Sequence, residues 1–544
     1  MESFWVGRWY FQVVVVQRPT ANGNVTGITP PGKPEHAFGY NDVELLYHYF
    51  PPELAGVPRV DTFYYYDRDR NLTMVSRPDS RAVSLGYDQA SGRLTQLLLS
   101  SVGEILLQYH DGSTGIGNTG QLHRITRPEG GTVEFLPDGF LPGYEAWDHW
   151  PVWIGVFRQY DDDLNLKELL VGSPPGVNYH ITLAYDDDGL LTAVSLPDQG
   201  LSLDLRRDTA SGYLLGTDAH SGGSDTLRTN QWYNGFGELA GLEALVETTG
   251  EQLYRVIYDD GDQHPRDALG RIVRKQETVL GESHEFTYHY DVYGRLEDVC
   301  RDGEHYSHYE YDDNGNRLLY QKCAAGVSCR PGQRCPAEIE RSGVHDEQDR
   351  LLGYGDASFA YTANGELYEK IDEQGITTYG YDELGNLLDV WLPDGGRVHY
   401  LVDGRNRRIG RQVFSPGGTL TAEQGFIYLD QLNPVAELDG EGNIVSVFVY
   451  ATRPNVPDLM YSCKDPAAPV APCAPGAPWR AYRVVSDHLG SVRLVVSLDD
   501  GAFGEVVQRM DYDEYGVVLT DTAPGFQPFG FVGGGSDRNL EVGQ

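Results

Sequence analysis

Long apolar runs are missing from this sequence. No stretch of its 544 residues approaches the roughly 18 consecutive apolar residues that a membrane-spanning helix needs. The N-terminal stretch up to Pro19 also lacks the basic start and long apolar core of a signal peptide. The sequence therefore predicts neither a spanning helix nor a signal peptide, and the valines from Val13 to Val16 are interpreted as a buried strand.

Basic residues are scarce relative to acidic ones. The chain has 42 Lys and Arg against 80 Asp and Glu, which gives a formal net charge of −38. A protein of that sign repels phosphate backbones and anionic lipid headgroups. We therefore expect no nucleic-acid partner and no attachment to an anionic membrane.

Familiar catalytic and cofactor motifs are also missing. The sequence has no Gly-x-Ser-x-Gly motif and no phosphate-binding loop. His284, Glu285 and His289 nearly match a zinc-protease helix, but the second histidine is one residue too far and the run alternates as a strand. The stretch from Asp67 nearly opens a calcium-binding loop, but Leu72 stands where glycine is required. We therefore expect no catalytic residue, no cofactor and no metal site.

What the sequence does contain is one pattern repeated many times. The pattern is Tyr-Asp, two residues, Gly, then Arg or Asn before an alternating run, as at Tyr290 and, 21 residues later, at Tyr311. A fixed period near 20 residues indicates an array of one supersecondary unit. Further copies, some lacking one member, begin at Tyr87, Tyr185, Tyr233, Asp267, His345, Tyr361, Tyr381 and Tyr512.

Each repeat is expected to form a β-hairpin. Tyrosines that alternate with polar residues occupy one face of a strand, and the following Asp accepts hydrogen bonds from backbone amides in a turn. The Gly three residues later takes a positive φ at little cost. The predicted turn residues are Asp291, Gly294, Asp312, Gly315, Asp382, Gly385, Asp513 and Gly516.

This pattern resembles the RHS or YD-repeat family, which includes bacterial polymorphic toxins, toxin-complex subunits and animal teneurins. The resemblance extends from about Pro30 to Gly534. It implies an all-β fold in which an array of antiparallel β-hairpins curls into a hollow or partly open spiral shell. A β-propeller is the alternative, because two repeats would make one four-stranded blade.

Residues 425–544 resemble the RHS-associated core of this family. The best-known matching piece is SDHLGSVR, with core-motif residues Asp487, His488, Gly490, Ser491 and Arg493. Asp487, His488 and Ser491 fall within one tight turn, where a nucleophile, a base and an orienting acid cannot line up in series. The core motif is therefore interpreted as a structural turn without a catalytic role.

Family cores commonly release their cargo by self-cleavage, with aspartates in the segment that follows the Gly-Gly of the core. Here Gly533 and Gly534 are followed by Gly535 and Ser536, and the match fails within two residues. We therefore expect a chain truncated before the autoprotease segment, which is not an enzyme and carries no toxin domain.

The chain has six cysteines, for which disulfides, free thiols and metal ligation are the alternatives. An even, clustered set in a chain with extracellular relatives favours disulfides. We expect Cys463 to pair with Cys473, and one further bridge among Cys323, Cys329 and Cys335, with Cys323 and Cys335 the candidate pair. The remaining thiol of these three would then pair with Cys300. The Cys- and Pro-rich segments 321–339 and 462–480 are expected to project from the sheet as long loops.

The repeat pattern divides the chain into four segments: an N-terminal linker (1–60), an irregular array (61–265), a regular array (266–424) and a truncated core (425–544). The resemblance implies a non-enzymatic shell that encapsulates or presents a C-terminal toxin or effector within a longer secreted bacterial protein. Its partner would be that toxin or effector polypeptide, or a cell-surface ligand such as a glycan. The alternatives are an extracellular adhesion or carbohydrate-binding protein and a self-cleaving aspartic protease core.

Overall fold

The structure, a computed structural model, describes residues 16–534 apart from 55, 57–58, 112–118, 174–177, 224, 260–265 and 469–472. The predicted departure from the family after Gly534, and Val13 to Val15 of the predicted first strand, lie outside these residues. Helix in the described residues is confined to two 3₁₀ turns, Pro197–Gln199 and Phe531–Gly533. None of the described segments forms a helix long and apolar enough to span a membrane.

The rest of the regular structure is 42 strands in the described residues, and within the strand runs of each unit described below sequential strands pair antiparallel. The first eight are β1 Val16–Pro19, β2 Val25–Thr29, β3 His36–Tyr40, β4 Leu46–Phe50, β5 Thr62–Tyr66, β6 Leu72–Ser76, β7 Ala82–Tyr87 and β8 Leu94–Leu99. The next fifteen are β9 Gly103–Tyr109, β10 Leu122–Arg127, β11 Gly131–Asp138, β12 Leu141–Trp147, β13 Ile154–Tyr160, β14 Leu166–Gly172, β15 Asn178–Tyr185, β16 Leu191–Leu196, β17 Leu201–Arg207, β18 Leu214–Ser221, β19 Leu227–Tyr233, β20 Leu239–Val246, β21 Glu251–Ile257, β22 Arg274–Val279 and β23 Glu282–Tyr290.

The second half of the chain continues in the same way. It begins with β24 Leu296–Arg301, β25 Glu304–Tyr311, β26 Arg317–Cys323, β27 Ala337–His345, β28 Leu351–Tyr354, β29 Ala357–Tyr361, β30 Leu367–Asp372, β31 Gly375–Tyr381 and β32 Leu387–Trp391. It ends with β33 Arg397–Val402, β34 Arg408–Phe414, β35 Leu420–Tyr428, β36 Pro434–Asp439, β37 Ile444–Val449, β38 Leu459–Ser462, β39 Arg480–Ser486, β40 Val492–Ser497, β41 Val506–Tyr512 and β42 Val518–Asp521.

The strands are grouped into two compact units. Unit 1 is Met1–Glu104, His289–Val299 and Glu304–Pro393, and unit 2 is Ile105–Tyr288, Cys300–Gly303 and Asp394–Gln544. Unit 1 contains the consecutively paired runs β1 to β8 and β25 to β32, and unit 2 contains β9 to β23 and β33 to β42. An unbroken run from β9 to β23 is not built of four-stranded blades, so the β-propeller alternative is wrong.

The turns that join the strands share one set of hydrogen bonds, seen clearly at Asp291. Its Oδ1 accepts the N–H groups of Tyr293 and Arg295, both at 2.9 Å, while Arg295 Nε donates to Oδ2 at 2.7 Å. Gly294 donates its N–H to the Asp291 carbonyl at 3.0 Å and has a φ of +86°. The same pair of backbone amides binds the turn carboxylates of Asp312, Asp382 and Asp513.

In several repeats the tyrosine before the turn Asp joins that repeat to the previous one. Tyr311 donates its hydroxyl to the carbonyl of Leu296 at 2.6 Å, and Leu296 lies five residues after the preceding turn Asp. The same contact links Tyr87 to Leu72 and Tyr185 to Leu166, both at 2.9 Å. A phenylalanine would lack this donor, which accounts for a chain with 36 Tyr and only 18 Phe.

Unit 2 has an extensive apolar core. One cluster of buried side chains takes members from both of its strand runs, for example Trp147 and Val256 from the first and Ile427 and Val496 from the second. Tyr179 packs against Trp479 across this core, with ring centroids 5.2 Å apart. The two runs therefore pack face to face within unit 2, and burial of this surface is the main stabilising contribution there.

Unit 1 is held together differently. Neither apolar cluster of the described residues includes a unit 1 side chain. Its two strand runs are instead joined by hydrogen bonds from one run to turns of the other. Lys33 Nζ donates to the Asp346 carbonyl at 2.7 Å, Arg81 Nη1 to the Tyr381 carbonyl at 2.7 Å, and Ser101 N–H to Glu383 Oε1 at 2.8 Å.

Candidate functional site

The core motif forms the tight turn between β39 and β40. Asp487 Oδ1 accepts the N–H groups of Leu489 and Ser491, both at 2.9 Å, as in the repeat turns. Gly490 has a φ of +91°, and a Cβ at this position would stand 2.8 Å from Asn455 Nδ2. Glycine is therefore required at this turn both by its backbone conformation and by the space available.

His488 attaches this turn to the first strand run of unit 2. Its Nδ1 lies 2.6 Å from the hydroxyl of Tyr258, which follows β21, and Arg453 Nη1 donates to its backbone carbonyl at 2.8 Å. Burial lowers the pKa of His488 to about 4, against the attraction of Asp487, and burial raises the pKa of Tyr258. Both groups are therefore neutral near pH 7, with the tyrosine donating to the imidazole.

Ser491 faces a different part of the chain. Its Oγ accepts the N–H of Val532 at 3.1 Å, and Asn455 Nδ2 donates to the Val532 carbonyl at 2.6 Å. Asp487, His488 and Ser491 thus have separate partners in this structure and form no serial hydrogen-bond chain. The arrangement holds the turn and the segment around Val532 in place, and it lacks the geometry of nucleophilic catalysis.

Arg493 is the buried cation of the core motif. Its Nη1 lies 2.6 Å from Glu277 Oε1 on β22, and its Nη2 lies 2.7 Å from Asp511 Oδ1 on β41. Burial alone would raise the pKa of Glu277, but Lys275 and Arg493 outweigh it and lower this pKa to about 2. The pair is therefore charged, and it connects the two strand runs of unit 2 by an ion pair.

A second buried ion cluster was not identified from the sequence. Arg407 Nη2 lies 2.7 Å from the turn carboxylate of Asp403 and 2.6 Å from Glu145 Oε1, and Trp147 Nε1 donates to Asp403 at 3.1 Å. Side-chain exposure is 1% for Arg407, 0% for Asp403 and 5% for Glu145. The sequence signal for this cluster was an Arg four residues after a turn Asp. The repeat pattern contains this Arg, but we interpreted it only as the start of a strand.

The structure contains bridges between Cys323 and Cys335 and between Cys463 and Cys473. Cys300 and Cys329 are disulfide-bonded as well, so no described cysteine is free and the free-thiol alternative is wrong.

The loop closed by the first bridge does not project, in contrast to our expectation. His305 donates its N–H to Val327 O at 2.7 Å, and Gly326 donates its N–H to Glu304 Oε2 at 3.0 Å. The loop therefore lies back over the start of β25, because it satisfies its backbone groups there.

Comparison with known proteins decides the family. A family model described as Teneurin YD-shell matches residues 263–542. The chain belongs to the teneurin YD-shell family. The resemblance to RHS and YD-repeat proteins is thereby confirmed.

Two curated relatives of this YD-shell protein are a teneurin and a bacterial toxin. Teneurin-4 of Mus musculus is 25% identical over 276 residues, which cover 49% of this chain and 8% of the teneurin. Toxin protein Tse5 of Pseudomonas aeruginosa is 29% identical over 146 residues, which cover 26% of this chain and 10% of the toxin. The YD-shell chain thus spans about a tenth of the length of each.

A solved structure shows the same fold. The crystal structure of TcdB2-TccC3-TEV superposes with a TM-score of 0.62 at 12% identity, over 96% of this chain and 27% of that one. Together with the strand pairing, this confirms the expected all-β antiparallel hairpin array with the YD-shell fold.

Proposed function

We propose that this chain is the shell part of a longer secreted protein and that it encloses or presents a toxin or effector polypeptide. The observation that carries the proposal is membership of the YD-shell family together with the fold shared with TcdB2-TccC3. A bacterial relative is named a toxin protein. The disulfides fit an oxidising compartment outside the cytoplasm.

The sheet of unit 1 offers a surface for such a polypeptide. Strand register places Val344, Ile371, Ile376 and Trp391 on one face of β27 to β32, in what we call the apolar row. Their exposed fractions are 56%, 41%, 52% and 43%. An aligned set of exposed apolar side chains is typical of a surface that contacts another polypeptide.

Small residues separate the members of this row. Gly353 and Ser358 lie between Val344 and Ile371 on the same face, in the register Val344 to Gly353, Gly353 to Ser358 and Ser358 to Ile371. The row is therefore a shallow, discontinuous apolar surface, which suits a weakly held and incompletely folded chain better than a folded partner with a large flat interface.

The proposal assigns no catalytic role to this chain. The core-motif side chains of Asp487, His488 and Ser491 are engaged in structural contacts. The intact mass of the purified protein is expected to stay constant for days at neutral and mildly acidic pH. A discrete pair of fragments, lost when one Asp is changed to Asn, would instead support the self-cleaving alternative.

Protection of an attached polypeptide tests the shell function. An inactive effector-sized reporter is joined after Gln544 and exposed to protease, in the parent protein and in a variant with all four residues of the apolar row changed to Ser. We expect slow cleavage in the parent and fast cleavage in this variant.

A matched control changes four other exposed apolar residues to Ser, at turn tips of unit 2. These residues are Phe140, Phe236, Leu269 and Leu432, whose exposed fractions are 77% or more. This control is expected to protect the reporter as the parent does. Equal, fast cleavage in all three proteins would contradict the shell function and favour the adhesion alternative. Binding of the protein to a glycan array would then test that alternative.

A further inference from the structure

Two histidines and an aspartate meet at a buried point in unit 1. Asp298 Oδ1 lies 2.8 Å from His305 Nε2 and 2.6 Å from His308 Nδ1. The exposed fractions of the three side chains are 0%, 1% and 3%. Among the described residues, the further contacts of this cluster are to Glu310, at 3.5 Å from His308 Nε2, and to Gly332, and not to a repeat turn or the core motif.

Both histidine rings face the same carboxylate oxygen of Asp298. A single carboxylate oxygen faces two imidazole nitrogens, so both nitrogens must carry a proton for both contacts to be hydrogen bonds. The other carboxylate oxygen already accepts the Gly332 N–H at 2.7 Å. A cation would replace the two ring protons and leave each of the three atoms with one partner, the cation.

The three atoms are suited to a metal ion by type, and they lie close enough together that a small outward shift of the two rings would admit one. The ligand atoms of Asp298, His305 and His308 all lie within 4.8 Å of one another. Two imidazole nitrogens and one carboxylate oxygen are a ligand set that Zn²⁺ takes in proteins, with a fourth position filled by water. The Gly332 N–H that holds the carboxylate corresponds to the outer hydrogen bond that orients metal ligands.

The disulfide loop covers this point. Gly332 belongs to the loop closed by Cys323 and Cys335, and the next residue but one, Arg334, forms two 2.6 Å contacts with Glu310 on β25. The loop covers the cluster and at the same time depends on it for the Gly332 contact. A metal ion there would fix the loop to β25 more firmly than hydrogen bonds alone.

We propose that Asp298, His305 and His308 bind one Zn²⁺ ion, which holds the disulfide loop against the sheet. The sequence pattern had predicted no metal site, because cysteine spacing, a helical histidine pair and a calcium-binding loop were the patterns considered. The ligands here are two histidines three residues apart on one strand and an aspartate seven residues earlier.

Direct binding to the intact protein is the first test. Protein without a histidine tag is treated with chelator, and Zn²⁺ is added during isothermal titration calorimetry. We expect one Zn²⁺ per chain, and Co²⁺ in its place should give the visible absorption of a four-coordinate nitrogen and oxygen site. Absence of stoichiometric Zn²⁺ binding would overturn the proposal and leave a proton-bound cluster.

Variants assign the site to these residues. His305→Gln and His308→Gln each keep a side chain able to donate to Asp298, so folding is retained while a ligand is lost. We expect each to weaken Zn²⁺ binding by more than the roughly 10–100-fold that loss of an outer partner costs. Melting temperatures without metal identify any variant that fails to fold.

His48→Gln is the matched control. His48 is equally a buried histidine beside a carboxylate, with its Nε2 3.0 Å from Asp61 Oδ2, but no third ligand of the described residues joins that pair. Its Zn²⁺ affinity should equal that of the parent. Unchanged binding in both ligand variants, or equal weakening in the control, would show that zinc binds elsewhere.

Discussion

Replacing Arg407 by Met measures what the buried ion cluster of unit 2 contributes. The change keeps an apolar stem of similar length but leaves the carboxylate of Asp403, which is 0% exposed, without its cation, while Glu145 keeps its contacts to Arg405 at 3.2 Å and Arg158 at 3.8 Å. Removing one partner of a buried pair costs about 3–5 kcal/mol, because the charge that remains is neither solvated nor paired. We expect a loss of that size in the free energy of unfolding.

Arg271→Met is the matched comparison at the same position of another repeat. Arg271 Nε donates to the turn carboxylate of Asp267 at 2.7 Å, the same contact, but the two side chains are 30% and 24% exposed. Water can solvate Asp267 after the change, so we expect a loss of at most about 1 kcal/mol. The two expected losses of stability differ because the two ion pairs differ in burial, and not because their hydrogen bonds differ.

Guanidinium unfolding followed by tryptophan fluorescence gives the comparison. The Arg407 guanidinium lies over the Trp147 ring at 4.9 Å, so this signal reports on the cluster directly. Adding Asp403→Asn to Arg407→Met should restore part of the lost stability, because it removes the buried charge that the single variant leaves without a cation. Equal losses in the two single variants, or no recovery in the double variant, would refute the reasoning.

Three further outcomes are expected. Gly315→Val should lower the free energy of unfolding by about 1–3 kcal/mol, because it forces a β-branched residue to positive φ. Asp313→Ala at the same turn should lower it by less. Equal shifts in melting temperature would contradict the turn geometry. Tyr311→Phe should cost about 1 kcal/mol in urea unfolding through loss of the hydroxyl contact to Leu296, and a neutral result would show that repeats are not coupled there. Burial lowers the pKa of His488 from about 6.5 to about 4, so its contribution to stability is present above pH 6.5 and is lost as the pH falls towards 4. His488→Gln should therefore reduce the fall in melting temperature between pH 6.5 and pH 4. An unchanged fall would exclude this histidine as its cause.

The hairpin repeat could be predicted from the sequence because its determinants are local. Asp291 and Gly294 lie within one turn, and a carboxylate cap and a positive φ each have a residue signature that needs no knowledge of the rest of the fold. The same reasoning extends to decayed copies. Asp349 stands in the glycine position of its turn and still has a φ of +60°, so the backbone conformation persists without the favoured residue.

Contacts between distant residues could not be predicted in this way. Glu145 and Arg407 are 262 residues apart, and Tyr258 and His488 are 230 apart. The sequence contains no spacing rule for such pairs, because they depend on which strand runs face each other in unit 2. The cluster around Asp298 was missed for a related reason, since its ligands come from the neighbouring strands β24 and β25 rather than from one helix.

Within each strand run, pairing of strands with their sequence neighbours has a mechanical consequence. Tension applied along the chain would open such a sheet like a zipper, one hairpin at a time, because the hydrogen bonds of a hairpin are loaded singly and not in parallel. Each repeat of about 20 residues would then release roughly 70 Å of extended chain. The bridge between Cys323 and Cys335 would withhold the 12 residues it spans, about 40 Å, from one of these steps. A pulled molecule would thus record this bridge as one shortened step, which reduction restores.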